Sequence, residues 1–73
     1  MDKIGIRIAQ AIRERAHQSG TKFYEERRKL DISAQNIYNW TKGGFLPTAY
    51  YLREMALAGY DVHWILTGRK HED

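Results

Sequence analysis

The chain has 73 residues, of which 42% are hydrophobic and 29% are charged, and it contains no cysteine. This composition suits one small domain, and it excludes disulfides, cysteine-based zinc sites and a transmembrane span of about 20 apolar residues. The net charge is +3, and residues 32–53 contain neither Asp nor Glu. A surface without carboxylates suits a polyanionic partner. Because no signal peptide opens the chain, we expect a cytoplasmic location, in the nucleoid or in the cytoplasm of a host cell.

The first predicted helix runs from Lys3 to about His17. Its apolar stripe has a helical period and is formed by Ile4, Ile8, Ile12 and Ala16, with Ala9 and Ala11 beside them. The arginines of this helix are expected mostly on the opposite, water-facing side; they are Arg7, Arg13 and Arg15. Residues 19–21 are expected to end this helix and to cap the next one.

The second predicted helix runs from residue 22 to residue 29 or 30 and is unusually polar. Phe23 and Leu30 lie seven residues apart and can share one face, so Arg27 between them must bury its stem and extend its guanidinium outward. The basic run over residues 27–29 has two open interpretations. It contacts phosphates, or it forms a solvated face paired with the two preceding glutamates.

The third predicted helix follows Ser33, a good N-cap residue, and ends at Gly43–Gly44. Ile37 and Trp40 share its inward face, and the preceding turn contains Asp31, a residue type that tolerates positive φ. The side chains left on the outer face are Ala34, Gln35, Tyr38 and Asn39. A short helix anchored by two apolar residues after a tight turn is typical of the second helix of a DNA-binding helix-turn-helix.

An apolar loop, Phe45–Pro47, precedes two further helices. The fourth helix is predicted from about Thr48 to Ala58, and the fifth from Val62 to Thr67, with Asp61 as its cap and Gly68 as its end. The polar tail over residues 69–73 is expected to fray.

Ten apolar residues fall on the inward stripes and are expected to form the core. They are Ile8, Ile12, Leu30, Ile32, Ile37, Trp40, Leu52, Ala56, Ile65 and Leu66. Tyr50 and Leu57 point away from the inward face of the fourth helix and form a candidate dimer patch. The sequence therefore predicts one all-α domain over residues 1–73, with five compact helices and an ordered core from about residue 3 to residue 68.

Two segments carry a resemblance to a known family. One is Ile32–Ser33 followed by Ile37 and Trp40, and the other is the closing run YDVHWILTG over residues 60–68. Together they resemble the Cro/CI-type family of phage and bacterial repressors, which has the lambda-repressor-like fold. The second helix departs from this family, because Glu26 and Arg27 stand where the family has leucine and alanine.

The resemblance implies a sequence-specific double-stranded DNA-binding transcriptional regulator, namely a phage or prophage Cro/CI-like repressor that inserts its third helix into the major groove of an operator. Its base-reading positions fall on Ser33, Ala34, Gln35 and Asn39. Phosphate contacts are expected from Lys22, Arg28, Tyr38, Lys42 and Gly43. The side-chain amide of Asn or Gln can donate one hydrogen bond to adenine and accept another from it, which fits positions 35 and 39. The implied partners are operator DNA and a second copy of the chain, with no cofactor, metal, membrane or small-molecule substrate.

Two other classes of function compete with this interpretation. His17, His63 and His71 lie on different predicted elements, and no metal-ligand signature, nucleophile elbow or phosphate loop occurs, so we expect no enzyme. An antitoxin or antirepressor, a protein-interaction module on the same fold, remains open and would use the patch at Tyr50 and Leu57. The length fits both a whole Cro-like protein and the DNA-binding domain of a longer repressor.

Overall fold

The computed structural model describes residues 3–70, and within this range the chain is helical and contains no strand. The helices are α1 (Ile4–Ser19), α2 (Phe23–Lys29), α3 (Ala34–Thr41), α4 (Ala49–Leu57) and α5 (Val62–Thr67). The predicted five-helix, all-α architecture is therefore confirmed for these residues. None of these helices is long and apolar enough to span a membrane. The predicted fraying concerns residues 69–73. Residues 71–73, which include His71, lie outside the described range.

Helix α1 is the central element, since it contacts α2, α3 and α5, while α4 packs against α5. Its predicted apolar stripe is confirmed: Ile8 and Ile12 expose no surface, and Ala9 and Ala16 are buried. The largest fully buried side chains come from α1, the α2–α3 turn, α4 and α5, and they are Ile8, Ile12, Ile32, Met55 and Ile65. The described part of the chain has a radius of gyration of 11.5 Å.

The predicted core is confirmed for most of its members and wrong for two. Ile37 and Leu52 are half-buried against the core, whereas Ala56 and Leu66 are exposed. Adjacent residues point about 100° apart around a helix, so Ala56 and Leu66 turn toward solvent beside Met55 and Ile65, which are fully buried. Tyr60, which follows α4 and is buried, completes this side of the core.

Two arginines of α1 were predicted on the water-facing side, but the structure differs. They attach the last two helices to α1. Arg7 Nε donates to the Ile65 carbonyl at 2.7 Å, and Arg15 Nη1 donates to the Ala58 carbonyl at 3.2 Å. The Arg15 guanidinium also lies 4.0 Å from the centroid of the Tyr60 ring. Carbonyls at the ends of helices lack partners within the helix and favour a positive charge, so each arginine stabilises a helix C-terminus.

The departure of α2 from the expected pattern is explained by polar contacts. Glu26 is buried, and its Oε2 atom accepts from the Thr21 hydroxyl at 2.7 Å and from Lys29 Nζ at 3.1 Å. Thr21 is therefore a partner of Glu26, and the N-cap of α2 is Lys22 rather than a residue of the predicted 19–21 segment. Arg27 is half-buried, and its guanidinium binds the Ile32 carbonyl at 2.8 Å instead of extending outward as predicted.

The contact between α1 and α3 depends on a glycine. Gly5 is buried, and a Cβ atom at this position would overlap the Trp40 carbonyl and lie 2.8 Å from Trp40 Cβ. The Trp40 ring packs edge-on against Tyr51, with centroids 5.1 Å apart. This contact holds the inward face of α3 between α1 and α4.

Candidate nucleic-acid interface

The turn that positions α3 is anchored on both sides. Asp31 has a φ of 60°, which confirms the prediction that this residue takes the left-handed conformation. The flanking Leu30 and Ile32 are buried. Arg27 Nη1 donates to the Ile32 carbonyl at 2.8 Å, so the side chain of α2 also fixes the turn. The start of α3 is thereby held at a defined position relative to the core.

Two reciprocal hydrogen bonds between Ser33 and Asn36 cap the N-terminus of α3. Ser33 Oγ accepts from the Asn36 backbone N–H at 3.0 Å, and Asn36 Oδ1 accepts from the Ser33 backbone N–H at 3.0 Å. The predicted cap at Ser33 is confirmed. Asn36 was not predicted as its partner, although a polar residue three positions after a serine is the spacing of a capping box. The Ser33 hydroxyl also donates to Asn36 Oδ1, so both its hydrogen-bonding roles are used within α3.

The outer face of α3 presents an ordered pair of amides. Gln35 and Asn39 lie one turn apart, and Gln35 Nε2 donates to Asn39 Oδ1 at 3.0 Å. Gln35 is exposed and Asn39 is half-buried, with exposed Ala34 and Tyr38 on the same side of the helix. Within residues 3–70 the pair leaves Gln35 Oε1 as an acceptor and Asn39 Nδ2 as a donor for a third group.

The inward face of α3 is anchored as predicted. Ile37 packs against the core and Trp40 is buried, so this tryptophan is a core residue. The Thr41 hydroxyl donates to the Ile37 carbonyl at 2.8 Å in the last turn of the helix. Trp64, the other tryptophan, is half-buried against the same core.

The basic run over residues 27–29 divides among different partners. Arg27 binds the α2–α3 turn and Lys29 binds Glu26, so these two cations serve the fold. The Arg28 guanidinium lies 5.0 Å from the centroid of the Tyr24 ring and is exposed. Of the two interpretations of this run, pairing with a glutamate holds for Lys29, while Arg28 remains available at the surface.

The other candidate phosphate contacts lie at the two ends of the α2–α3 unit. Lys22 and Lys42 are exposed, and Tyr38 exposes 58% of its surface. The Gly43 N–H donates to the Asn39 carbonyl at 3.0 Å, so this amide already closes the C-terminus of α3. Like Arg28, the two lysines are candidate contacts whose charges have no ion-pair partner within residues 3–70.

Exposed apolar side chains continue beyond α3. Phe45 and Leu46, in the predicted apolar loop, expose 64% and 58% of their surface. The candidate dimer patch is also exposed, with 46% for Tyr50 and 75% for Leu57. Sequence reasoning identified the loop as apolar but did not predict its exposure, which depends on the path of the chain between α3 and α4.

Comparisons with known proteins add no relative to this description. No protein-family model matches the chain, and no curated protein or solved structure matches it. Within residues 3–70, no group of three or more His, Cys, Asp or Glu residues could hold a metal ion.

Proposed function

We propose that the protein is a sequence-specific double-stranded DNA-binding regulator, a Cro/CI-like phage or prophage repressor in which α2 and α3 form the helix-turn-helix. The observation that carries this proposal is the hydrogen-bonded pair of Gln35 and Asn39 on the outer face of α3. Its remaining acceptor and donor complement the N6 amino group and N7 atom that adenine presents in the major groove. The pair is therefore held in advance in a geometry suited to base reading.

The dimensions and capping of α3 support its insertion into a groove. A helix with its side chains is about 10–12 Å across, which fits the ~12 Å width of the major groove, and the eight residues of α3 give it about two turns to lie along the groove. Ala34 lies next to the pair and can contact a thymine methyl group. Because the turn at Asp31 and the cap at Ser33 are ordered, little conformational entropy is lost when α3 binds.

The charge distribution supports binding to a polyanion. Residues 32–53 contain no carboxylate, so α3 and the adjoining loop present no like charge to DNA. The exposed cations Lys22 at the N-cap of α2, Arg28 within α2 and Lys42 at the end of α3 can contact phosphates, which positions a protein on DNA without reading the sequence. We place this activity in the nucleoid or host-cell cytoplasm, with a homodimer bound to a near-palindromic operator.

The proposal is tested by selecting binding sites from random DNA at two salt concentrations. Gln35→Ala and Asn39→Ala should each relax the preference at particular base pairs by about 1–3 kcal/mol. Lys42→Ala should instead weaken binding to all sequences and reduce the salt dependence, the slope of log K against log salt, by about one.

A matched control is available on α1, where exposed Gln18 donates to Glu14 one turn earlier at 3.4 Å. Gln18→Ala removes an amide-to-carboxylate hydrogen bond of the same i, i+4 spacing away from α3 and should change neither the selected site nor the affinity. If Gln35→Ala and Asn39→Ala both left the selected site unchanged, α3 would not be the base-reading element.

The second candidate function is an antitoxin or antirepressor module on the same fold. The exposure of Phe45 and Leu46 favours it, because large apolar side chains at a surface are characteristic of contacts with another protein. The same selection experiment separates the regulator from an antirepressor, whereas an antitoxin would bind both DNA and a toxin. A module that binds only protein would enrich no DNA sequence at either salt concentration.

A further inference from the structure

Helix α4 has one face on the core and one face in solvent. Tyr51, Leu52 and Met55 pack into or against the core. The residues on the other side follow the spacing i, i+3, i+4, i+7 and form what we call the α4 face: Tyr50, Arg53, Glu54 and Leu57. Leu57 is 75% exposed and the Arg53 side chain is 68% exposed. The α4 face is thus an amphipathic surface with an apolar residue at each end.

The charges of the α4 face lie on opposite sides of its apolar line. Adjacent residues point about 100° apart on a helix, so Arg53 and Glu54 flank the line from Tyr50 to Leu57, one on each side. Their Nη2 and Oε2 atoms are 3.5 Å apart across this line, and the Arg53 guanidinium lies 5.8 Å from the centroid of the Tyr50 ring. The surface is therefore positive on one side and negative on the other, and the two charges form an ion pair with each other within one chain.

We propose that the α4 face binds the α4 face of a second copy of this chain, with the two helices parallel and related by a two-fold axis. A rotation about an axis parallel to the helices sets Tyr50 against Tyr50 and Leu57 against Leu57 of the second copy. It also exchanges the two sides, so Arg53 of each copy meets Glu54 of the other.

The charges select this orientation over the antiparallel one. In an antiparallel pair, the two-fold axis is perpendicular to the helices, and the rotation brings the positive sides of the two copies together and the negative sides together. Arg53 would then face Arg53 of the second copy, and Glu54 would face Glu54. Like charges set against each other oppose association. The parallel arrangement instead adds two ion pairs between the copies to the Arg53–Glu54 pair within each chain, so that positive and negative charges alternate. Charge complementarity therefore determines both the partner, a second copy, and its direction.

The contact is small, which sets how it must be measured. Helix α4 has nine residues, a length of about 14 Å, so its contact buries far less than the ~1,200–2,000 Å² of a stable interface. We expect weak association in solution that strengthens when two half-sites on DNA hold the copies together. The inference deepens the homodimer of the proposed function and rests on it for its biological setting, but its test uses protein without DNA. Failure of α4 pairing and failure of DNA recognition are thus distinguishable.

Disulfide cross-linking tests the orientation, because the chain has no cysteine and a single introduced thiol reports one position. Leu57→Cys and Tyr50→Cys, each alone, should form covalent dimers under mild oxidation about tenfold faster than Ser19→Cys, since docking raises the effective thiol concentration. Ser19 is an exposed residue at the end of α1 and serves as the control. An equal mixture of Leu57→Cys and Tyr50→Cys should give no excess of the mixed dimer.

Charge exchange tests the ion pairs in the Leu57→Cys background. Arg53→Glu or Glu54→Arg alone should slow cross-linking about tenfold, because each replaces two attractive contacts with two repulsive ones. The double exchange, Arg53→Glu with Glu54→Arg, should restore the original rate. Circular dichroism should show unchanged helix content in all three variants.

Several outcomes would overturn this inference. An excess of the mixed Tyr50–Leu57 dimer would mean antiparallel packing, and cross-linking no faster than that of Ser19→Cys would mean that the α4 face does not self-associate. Single charge reversals without effect, or a double exchange as slow as the single reversals, would show that Arg53 and Glu54 do not pair between copies.

Discussion

At the residue scale, the buried carboxylate of Glu26 links α2 to its surroundings. The Thr21 hydroxyl and the Lys29 ammonium lower the pKa of Glu26 below its ordinary value of 4.5, while its desolvation acts in the opposite direction. The nearby Arg15 guanidinium lowers the same pKa further. Burial raises the pKa of Tyr60, on the other side of Arg15, above its ordinary value of 10.0. Around neutral pH, Glu26 is therefore ionised and Tyr60 is neutral.

The lowered pKa of Glu26 predicts a pH dependence of stability. The unfolded chain binds a proton at this carboxyl more readily than the folded chain, so the contribution of Glu26 is complete above pH 4.5 and is lost as the pH falls through the folded-state pKa. The difference in free energy of unfolding between the native protein and Glu26→Gln should shrink on acidification below pH 4.5. Denaturant titrations at a series of pH values measure this difference.

An exposed glutamate of α1 provides the control for this experiment. Glu14→Gln should retain the acid dependence of the native protein, because the Thr21 and Lys29 contacts of Glu26 are intact in that variant. A difference between the native protein and Glu26→Gln that did not change with pH would contradict the assignment.

At the scale of elements, three contacts hold α3 in place. Gly5 permits α1 to lie against Trp40, the ring of Tyr51 packs on Trp40 from α4, and the capped turn at Ser33 fixes the N-terminus. These contacts leave the amide pair at Gln35 on the remaining outer side. The orientation of the proposed base-reading face thus follows from how the opposite face is packed.

Gly5→Ala tests the packing of α1 against α3. Alanine is the better helix former, and propensity alone would stabilise α1 by up to about 1 kcal/mol. Because a Cβ atom at this position would overlap the Trp40 carbonyl, we expect a net loss of about 1–3 kcal/mol. Urea denaturation measures the change, and Gln10→Ala, at an exposed position of α1, should stay within about 0.5 kcal/mol of the native protein. A Gly5→Ala variant more stable than the native protein would show that the helices separate without cost.

At the scale of the whole molecule, one long helix organises four short ones. Arg7 and Arg15 bind carbonyls 58 and 43 residues away in the chain, and Ile8 and Ile12 lie between them with no exposed surface. Since α2 to α5 each have fewer than ten residues, they are too short to be stable alone and depend on packing. The stability of the whole domain should therefore be concentrated along α1.

Ile12→Ala tests this dependence on α1. Truncation of a fully buried isoleucine costs about 2–5 kcal/mol, a large share of the ~5–15 kcal/mol that stabilises a small domain. Leu57→Ala, at an exposed position of α4, should change the stability of dilute protein by about 0.5 kcal/mol or less. Thermal unfolding followed by circular dichroism compares the two variants. Equal losses from both would contradict a core centred on α1.

The sequence by itself determined the features that depend on residues within about one helical turn. Five helices, the caps at Ser33 and Asp61, the left-handed Asp31 and the end of α5 at Gly68 all agree with the prediction. Each depends on a hydrogen bond or a dihedral angle between near neighbours, so local residue types suffice. The outward direction of Gln35 was predictable for the same reason.

Only the tertiary structure decided the contacts between residues far apart in the chain. Helical periodicity placed Ala56 and Leu66 inside together with Met55 and Ile65, but only Met55 and Ile65 are buried, and Ala56 and Leu66 are exposed. The roles of Arg7 and Arg15 as caps for distant helices, and the contact at Gly5, have no local signal. A side chain finds such partners only when packing brings separate helices together, and this information lies in the arrangement of the helices rather than in any short segment.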